Sequence, residues 1–240
     1  KELRDLTELT LSGILYYVSQ VVNHLIESRV FKTGPSKSKS LRICLGGKAS
    51  TLYKIVFEDS DDQEGLSKMI EKATNGIFTS IGIVFTNTPK HEVSYGLLVD
   101  KFGATDLDLT DRSHETVLGE DVMVAKNKVA IVSDLDPDKQ WRVKDISQLK
   151  TFLKYLQAYS RIPIKLTKKL EGDIEGKINA ELKNGQARAL DLKRNMQSVE
   201  GDDSLAEIQK TSSIIEPVFI QELKQLINEV HNKVVGKIKM

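Results

Sequence analysis

The sequence predicts an α+β fold: a mostly antiparallel sheet of about six or seven strands covered by helices, with amphipathic helices at both ends of the chain. Three observations predict it. Residues 41–134 break into short β-branched and apolar runs bounded by Gly, Pro, Asn and Asp. Stretches with apolar residues three and four apart lie before and after that block. The connections inside the block leave no room for the crossover helices that parallel strands need.

Asp5 and Glu8 are spaced as a capping box, and behind them Leu11, Ile14, Leu15, Val18, Val22, Leu25 and Ile26 trace one face of a helix ending near Arg29. Residues 9–26 carry no Asp, Glu, Lys or Arg, yet Ser12, Ser19, Gln20, Asn23 and His24 are too many polar groups for lipid, so no membrane span is expected. The expected layout makes 1–31 an N-terminal helix and 32–40 a basic Ser/Lys linker. An α+β core then occupies 41–160. Residues 161–240 supply a basic hairpin or helix and the C-terminal helices, either as a separate part or as one domain with the core.

Within the core, the runs 41–45 and 51–57 flank Gly46, Gly47, Lys48, Ala49 and Ser50, which reads as a hairpin. Leu66, Met69, Ile70 and Ala73 then mark a short helix over 64–74, stopped by Asn75 and Gly76. Strands are expected over 77–86, 92–101, 105–109, 115–124 and 128–132. A second capping box, Asp145 and Gln148, opens a helix whose stripe is Ile146, Leu149, Phe152, Leu153 and Leu156. The stretch 163–196 supports two patterns. Leu170, Ile174, Ile178 and Leu182 recur every four residues as in a helix, but Ile174, Gly176, Ile178, Ala180 and Leu182 also alternate, and the glycines tip the reading toward a hairpin. Residues 204–215 and 218–238 read as helices joined at Pro217. In the last of these, Ile220, Leu223, Ile227, Val230 and Val234 have the spacing of a short coiled coil.

Over 240 residues the formal net charge is +1, so the bulk balance names neither nucleic acid nor an acidic partner. The distribution is uneven. Residues 41–140 hold 11 Lys and Arg against 17 Asp and Glu, whereas 141–200 hold 13 against 7. In the basic part, Lys165, Lys168, Lys169, Arg188, Lys193 and Arg194, with Tyr155 and Tyr159, form a set that a single-stranded nucleic-acid groove uses, cations on phosphates and rings on bases. Glu171, Asp173, Glu175 and Glu181 interrupt that set. The single cysteine, Cys44, excludes an intramolecular disulfide and Cys-x-x-Cys zinc sites, and points to the cytoplasm or another reducing compartment.

Diagnostic chemistry is sparse. Gly46, Gly47 and Lys48 follow a strand as in a phosphate-binding loop, but Arg42 stands where that pattern needs glycine, and the run that follows reads as a strand rather than a helix. Asp134, Asp136, Asp138 and Asp145 occupy positions one, three, five and twelve of a calcium-type loop, with Lys139 in place of the glycine at six. Asp145 also fits as a helix cap. His24, His91, His114 and His231 form no metal-spaced pair, and no cofactor is implied. The expectation is therefore a non-enzymatic protein interaction or assembly module, with another protein or a second copy as partner. The alternatives are a single-stranded nucleic-acid binder working through 141–194 and a metal-dependent enzyme.

Overall fold

A computed structural model describes residues 2–27, 40–57, 60–85, 116–160, 162, 164–196 and 215–238. The chain divides into two compact units, Lys1–Ser113 with Lys154–Ile162, and His114–Leu153 with Pro163–Met240.

In the first unit, α1 (Glu2–Glu27) is followed by β1 (Ser40–Leu45), α2 (Gly47–Val56), α3 (Ser60–Ala73) and β2 (Ser80–Phe85). Two expectations fail here. The run 51–57 is not the return strand of a hairpin but part of α2, and β1 pairs in parallel with β2, Ser40 against Ser80 through Leu45 against Phe85. Thr51, Ile55 and Val56 favour strands locally, but burial decides: Ser50, Tyr53, Val56 and Phe57 all face inward, a spacing only a helix brings to one side. With two helices between them, parallel pairing becomes the natural connection.

The core of this unit is built from Leu9, Leu15 and Tyr16 of α1, Tyr53 and Val56 of α2, and Leu66, Met69 and Ile70 of α3. Tyr53 OH donates to the Leu11 carbonyl at 2.6 Å, and burial, with Tyr159 a lesser cause, pushes its hydroxyl far above the ordinary tyrosine range. Tyr159 OH lies 3.0 Å from Ser12 Oγ, so the small polar residues of α1 that argue against lipid serve to seat an aromatic ring. Asn75 and Gly76 take φ of 52° and 69° and end α3, as the sequence predicts.

The second unit holds β3 (Val122–Val124), β4 (Asn127–Lys128), a 3-10 turn (Val132–Asp134), β5 (Trp141–Val143), α4 (Ser147–Leu156, to Leu153 in this unit), α5 (Lys168–Met196) and α6 (Val218–Ile238). Its sheet has antiparallel order β4-β3-β5. The large antiparallel sheet is thus replaced, among the described residues, by two small sheets of two and three strands and six α-helices. One expected strand is helix, and the expected strands over 115–132 are cut by turns into β3, β4 and a lone bridge between Val117 and Ile131. The strands expected over 92–101 and 105–109, and residues 204–214 of the expected helix, lie outside the described residues.

The hairpin expected within 163–196 is instead the single 29-residue helix α5. Leu170, Ile174, Ile178 and Leu182 are all buried, while Gly176 and Ala180, the other members of the alternating set, are exposed on the far side. The period of four carried the packing information. Alternation arose because small residues fill the outer face.

α5 also covers the edge of the sheet. The Asn179 side chain accepts the Val143 N–H at 2.7 Å and returns a bond to the Val143 carbonyl at 3.4 Å. Two turns on, Gln186 accepts the Trp141 N–H at 3.4 Å and donates to the carbonyls of Pro137 and Lys139. Side-chain amides thereby stand in for a neighbouring strand at the Trp141 and Val143 N–H groups and the Val143 carbonyl.

Two kinds of glycine separate in this framework. A Cβ on Gly65 would lie 2.5 Å from Tyr159 Cγ, whereas one on Gly172 or Gly176 meets open space. Gly65→Ala is expected to destabilise the protein by about 1–3 kcal/mol, and Gly172→Ala or Gly176→Ala to stabilise it by about 0.5–1 kcal/mol, as read by urea unfolding.

Candidate functional site

The turn from Leu118 to Asp121 organises the polar interior of the second unit. Gly119 takes φ of 108°, a backbone that side-chain-bearing residues avoid. The turn delivers two acceptors to two helix starts. The Leu118 carbonyl accepts the N–H groups of Val218 at 2.8 Å and Phe219 at 3.4 Å at the start of α6. The Asp121 carboxylate accepts the Gln148 N–H at 2.9 Å and the Ser147 hydroxyl at the start of α4, where Asp145 also caps Ser147 N–H at 3.0 Å. Backbone donors at helix starts that would otherwise lack partners are met by one oxygen and two carboxylates.

Beside this turn α6 places Glu222, with none of its surface exposed. Neither of its oxygens finds a hydrogen-bond donor, and Gln148 Oε1, at a residue only 7% exposed, is likewise unpartnered. Burial, and then the neighbouring Asp121, push the Glu222 carboxyl well above the usual carboxylic range, and Asp145 adds in the same direction. Burial also raises Asp121, against the opposing effect of its bonds from Ser147 and Gln148. Two buried carboxyls side by side disfavour both carrying charge at once.

Sequence reasoning passed over these residues, although a signal was present. Val218, Phe219, Glu222, Leu223 and Leu226 share one buried face, so Glu222 interrupts an apolar stripe at a core position. Asp121 directly precedes the run from Val122 to Val124.

The four candidate metal ligands are not brought together. Asp136 pairs with Lys139 at 2.9 Å and accepts the Asp138 N–H at 3.0 Å, Asp138 pairs with Lys193, Asp145 caps α4, and Asp134 ends the 3-10 turn. Among the described residues, no group of three or more His, Cys, Asp and Glu is placed to hold a metal ion.

Nor do the candidate nucleic-acid residues assemble one face. Lys168, Lys169, Arg188, Lys193 and Arg194 are spread around more than half the circumference of α5, by the 3.6-residue turn. Lys193 is committed to Asp138, and Arg194 lies 3.6 Å from Asp191. Lys165 is exposed ahead of the helix. In the first unit Tyr155 packs on Tyr16 with ring centroids 6.3 Å apart, and Tyr159 is partly buried against Ser12 and Met69. Neither ring is left as a free stacking platform. A cleft of about 380 Å³ between α5 and α6 carries Glu181 and Glu216 beside Arg188 and Lys224, so it offers no field of one sign.

The strand that the sequence places after Gly46 and Gly47 is α2, so β1 does lead into a helix start, where Gly46 supplies no side-chain cap. Among the described residues no helix is long and apolar enough to cross a membrane.

The Gly119 turn carries a direct test. A Cβ there would meet Gln148 Oε1 and strain the backbone, so Gly119→Ala is expected to destabilise the second unit by about 1–3 kcal/mol, read from unfolding followed by Trp141 fluorescence. No family model matches this sequence, and no curated protein or solved structure matches it either, so its own residues are the ground for a functional reading.

Proposed function

We propose that this protein is a non-enzymatic assembly module that pairs with a second copy of itself through α6. The observation that carries this reading is the width of the apolar face on that helix. Val218, Phe219, Leu223 and Leu226 are buried in their own unit, but Ile220, Ile227 and Val230, on the flank of the same face, remain partly exposed. Ile220 and Ile227 are seven residues apart, two turns along one side of the helix, and Val230 follows one turn later, the spacing of a helix-pairing seam. A helix of 21 residues is roughly 30 Å long, enough for a compact two-helix contact.

A two-fold axis lets one stripe serve both partners, which makes a second copy the simplest occupant. In the first unit, Leu52 and Ile55 on α2 and Ile14 on α1 are 48%, 60% and 43% exposed, further apolar surface of the kind an assembling protein carries.

Light scattering or sedimentation of the full chain across a concentration series is expected to give a particle of twice 26.9 kDa. Ile220→Asp and Ile227→Asp should each raise the dissociation constant at least about tenfold, roughly 1.4 kcal/mol, with Trp141 fluorescence unchanged. A monomer at every concentration, in wild type and variants alike, overturns the reading.

A further inference from the structure

We propose that Asp121 and Glu222 form a proton-operated latch, in which one shared proton keeps α6 seated on the second unit and loss of that proton loosens it. The inference does not depend on what α6 pairs with outside its own unit. It starts from an inconsistency that a fixed charge state leaves in place. Glu222 has no solvent contact and no donor to either oxygen, and the acid beside it already spends its carboxylate on the start of α4. Two carboxylates enclosed in this way cannot both stay charged, because like charges in a dry site repel and neither has water to disperse its field. With a proton on Glu222, its O–H donates to Asp121 and the helix lies down on a neutral side chain. Without it, the same contact becomes a repulsion between α6 and the turn that binds the helix start.

The groups facing the pair reinforce that logic. Asp145, ahead of α4, adds further negative charge near Glu222, while the nearby Leu149 N–H of α4, which makes no hydrogen bond to it, acts in the opposite direction. Lys128 on β4 acts on Asp121 and favours its charged form. The proton therefore resides on Glu222 while Asp121 remains the anion that caps α4.

The sign of the pH effect follows. In the unfolded chain Glu222 ionises in the ordinary range, near about pH 4.3. Folding raises that value well above it, so between the two the folded protein holds one more proton than the unfolded chain. The stabilisation from protonated Glu222 is complete below the unfolded value and is lost as pH rises toward the folded one. One proton corresponds to a change in the unfolding equilibrium constant of about tenfold per pH unit within that window.

The test uses the full chain and its single tryptophan, Trp141, which is buried in β5 of the same unit. Urea unfolding followed by Trp141 fluorescence from about pH 5 to about pH 8.5 is expected to show the wild-type unfolding constant rising with pH, by up to about tenfold per unit. Glu222→Gln, which keeps the shape and removes the charge, should flatten this dependence and unfold less readily than wild type at the alkaline end. Glu222→Leu should flatten it too, which keeps the test decisive if either variant folds poorly. A flat wild-type profile, or a Gln variant with the wild-type slope, overturns the proposal. So does a wild-type slope that added magnesium or calcium abolishes, since the pair would then hold a metal ion and not a proton.

Discussion

The second unit depends on one turn and on the anion at its end. Leu118 and Asp121 are three residues apart, yet one meets the start of α6 through its carbonyl and the other meets the start of α4 through its carboxylate. Gly119 makes this possible because a φ of 108° turns the chain sharply enough to aim both acceptors at their helices. Helix starts carry partial positive charge from their unpaired N–H groups, so an anion among them is favoured even where burial opposes it. At Asp121, 4% exposed, those donors oppose the upward push of burial, whereas Glu222, which meets no donor, is pushed well above the ordinary carboxylic range.

Edge protection is the other constraint, and it shows why α5 is long. A three-stranded sheet with strands of two or three residues has little ladder to hold it. Asn179 and Gln186 supply the missing partners of β5 from a helix, and their separation of seven residues, two helical turns, puts both amides over the same strand. The buried stripe from Leu170 to Leu182 sets α5 against the sheet at the right rotation for this. Packing and hydrogen bonding therefore specify the same orientation. Agreement between the two gives an unambiguous helix where local glycine content argues for a turn.

The helices were legible in the sequence wherever an apolar stripe and a stop signal coincided. α1, α3, α4 and α6 were readable this way, with Asn75 and Gly76 closing α3 and Asp145 opening α4. Strand pairing was not legible, because partners are chosen by long-range burial and not by local propensity. The run 51–57 is the clearest case: its β-branched residues suit a strand, but only a helix turns Ser50, Tyr53 and Val56 to one side. For the candidate site, the residue types were visible and their convergence was not. Asp121 and Glu222 are 101 positions apart, and a glutamate on a helix is ordinarily taken as surface. Its position inside the stripe from Val218 to Leu226 was the one available sign.

Part of the uneven charge of the chain is paired within the second unit. Asp138 belongs to the acidic stretch and Lys193 to the basic one, and they pair with each other. Lys150 and Glu171 join α4 to the first turn of α5 at 2.9 Å, and Lys177 reaches Gln225 at 3.0 Å. Ion pairs this exposed contribute at most about 1 kcal/mol each, and Lys177, bonded to a neutral amide, keeps its charge. The flank of α6 is apolar instead, with Ile220, Ile227 and Val230 partly exposed. Contact of that kind is little affected by salt, whereas joining an acidic to a basic face weakens steeply as ions screen it. The Lys150–Glu171 pair adds to the contact of α4 with the first turn of α5, whose orientation the buried stripe already sets.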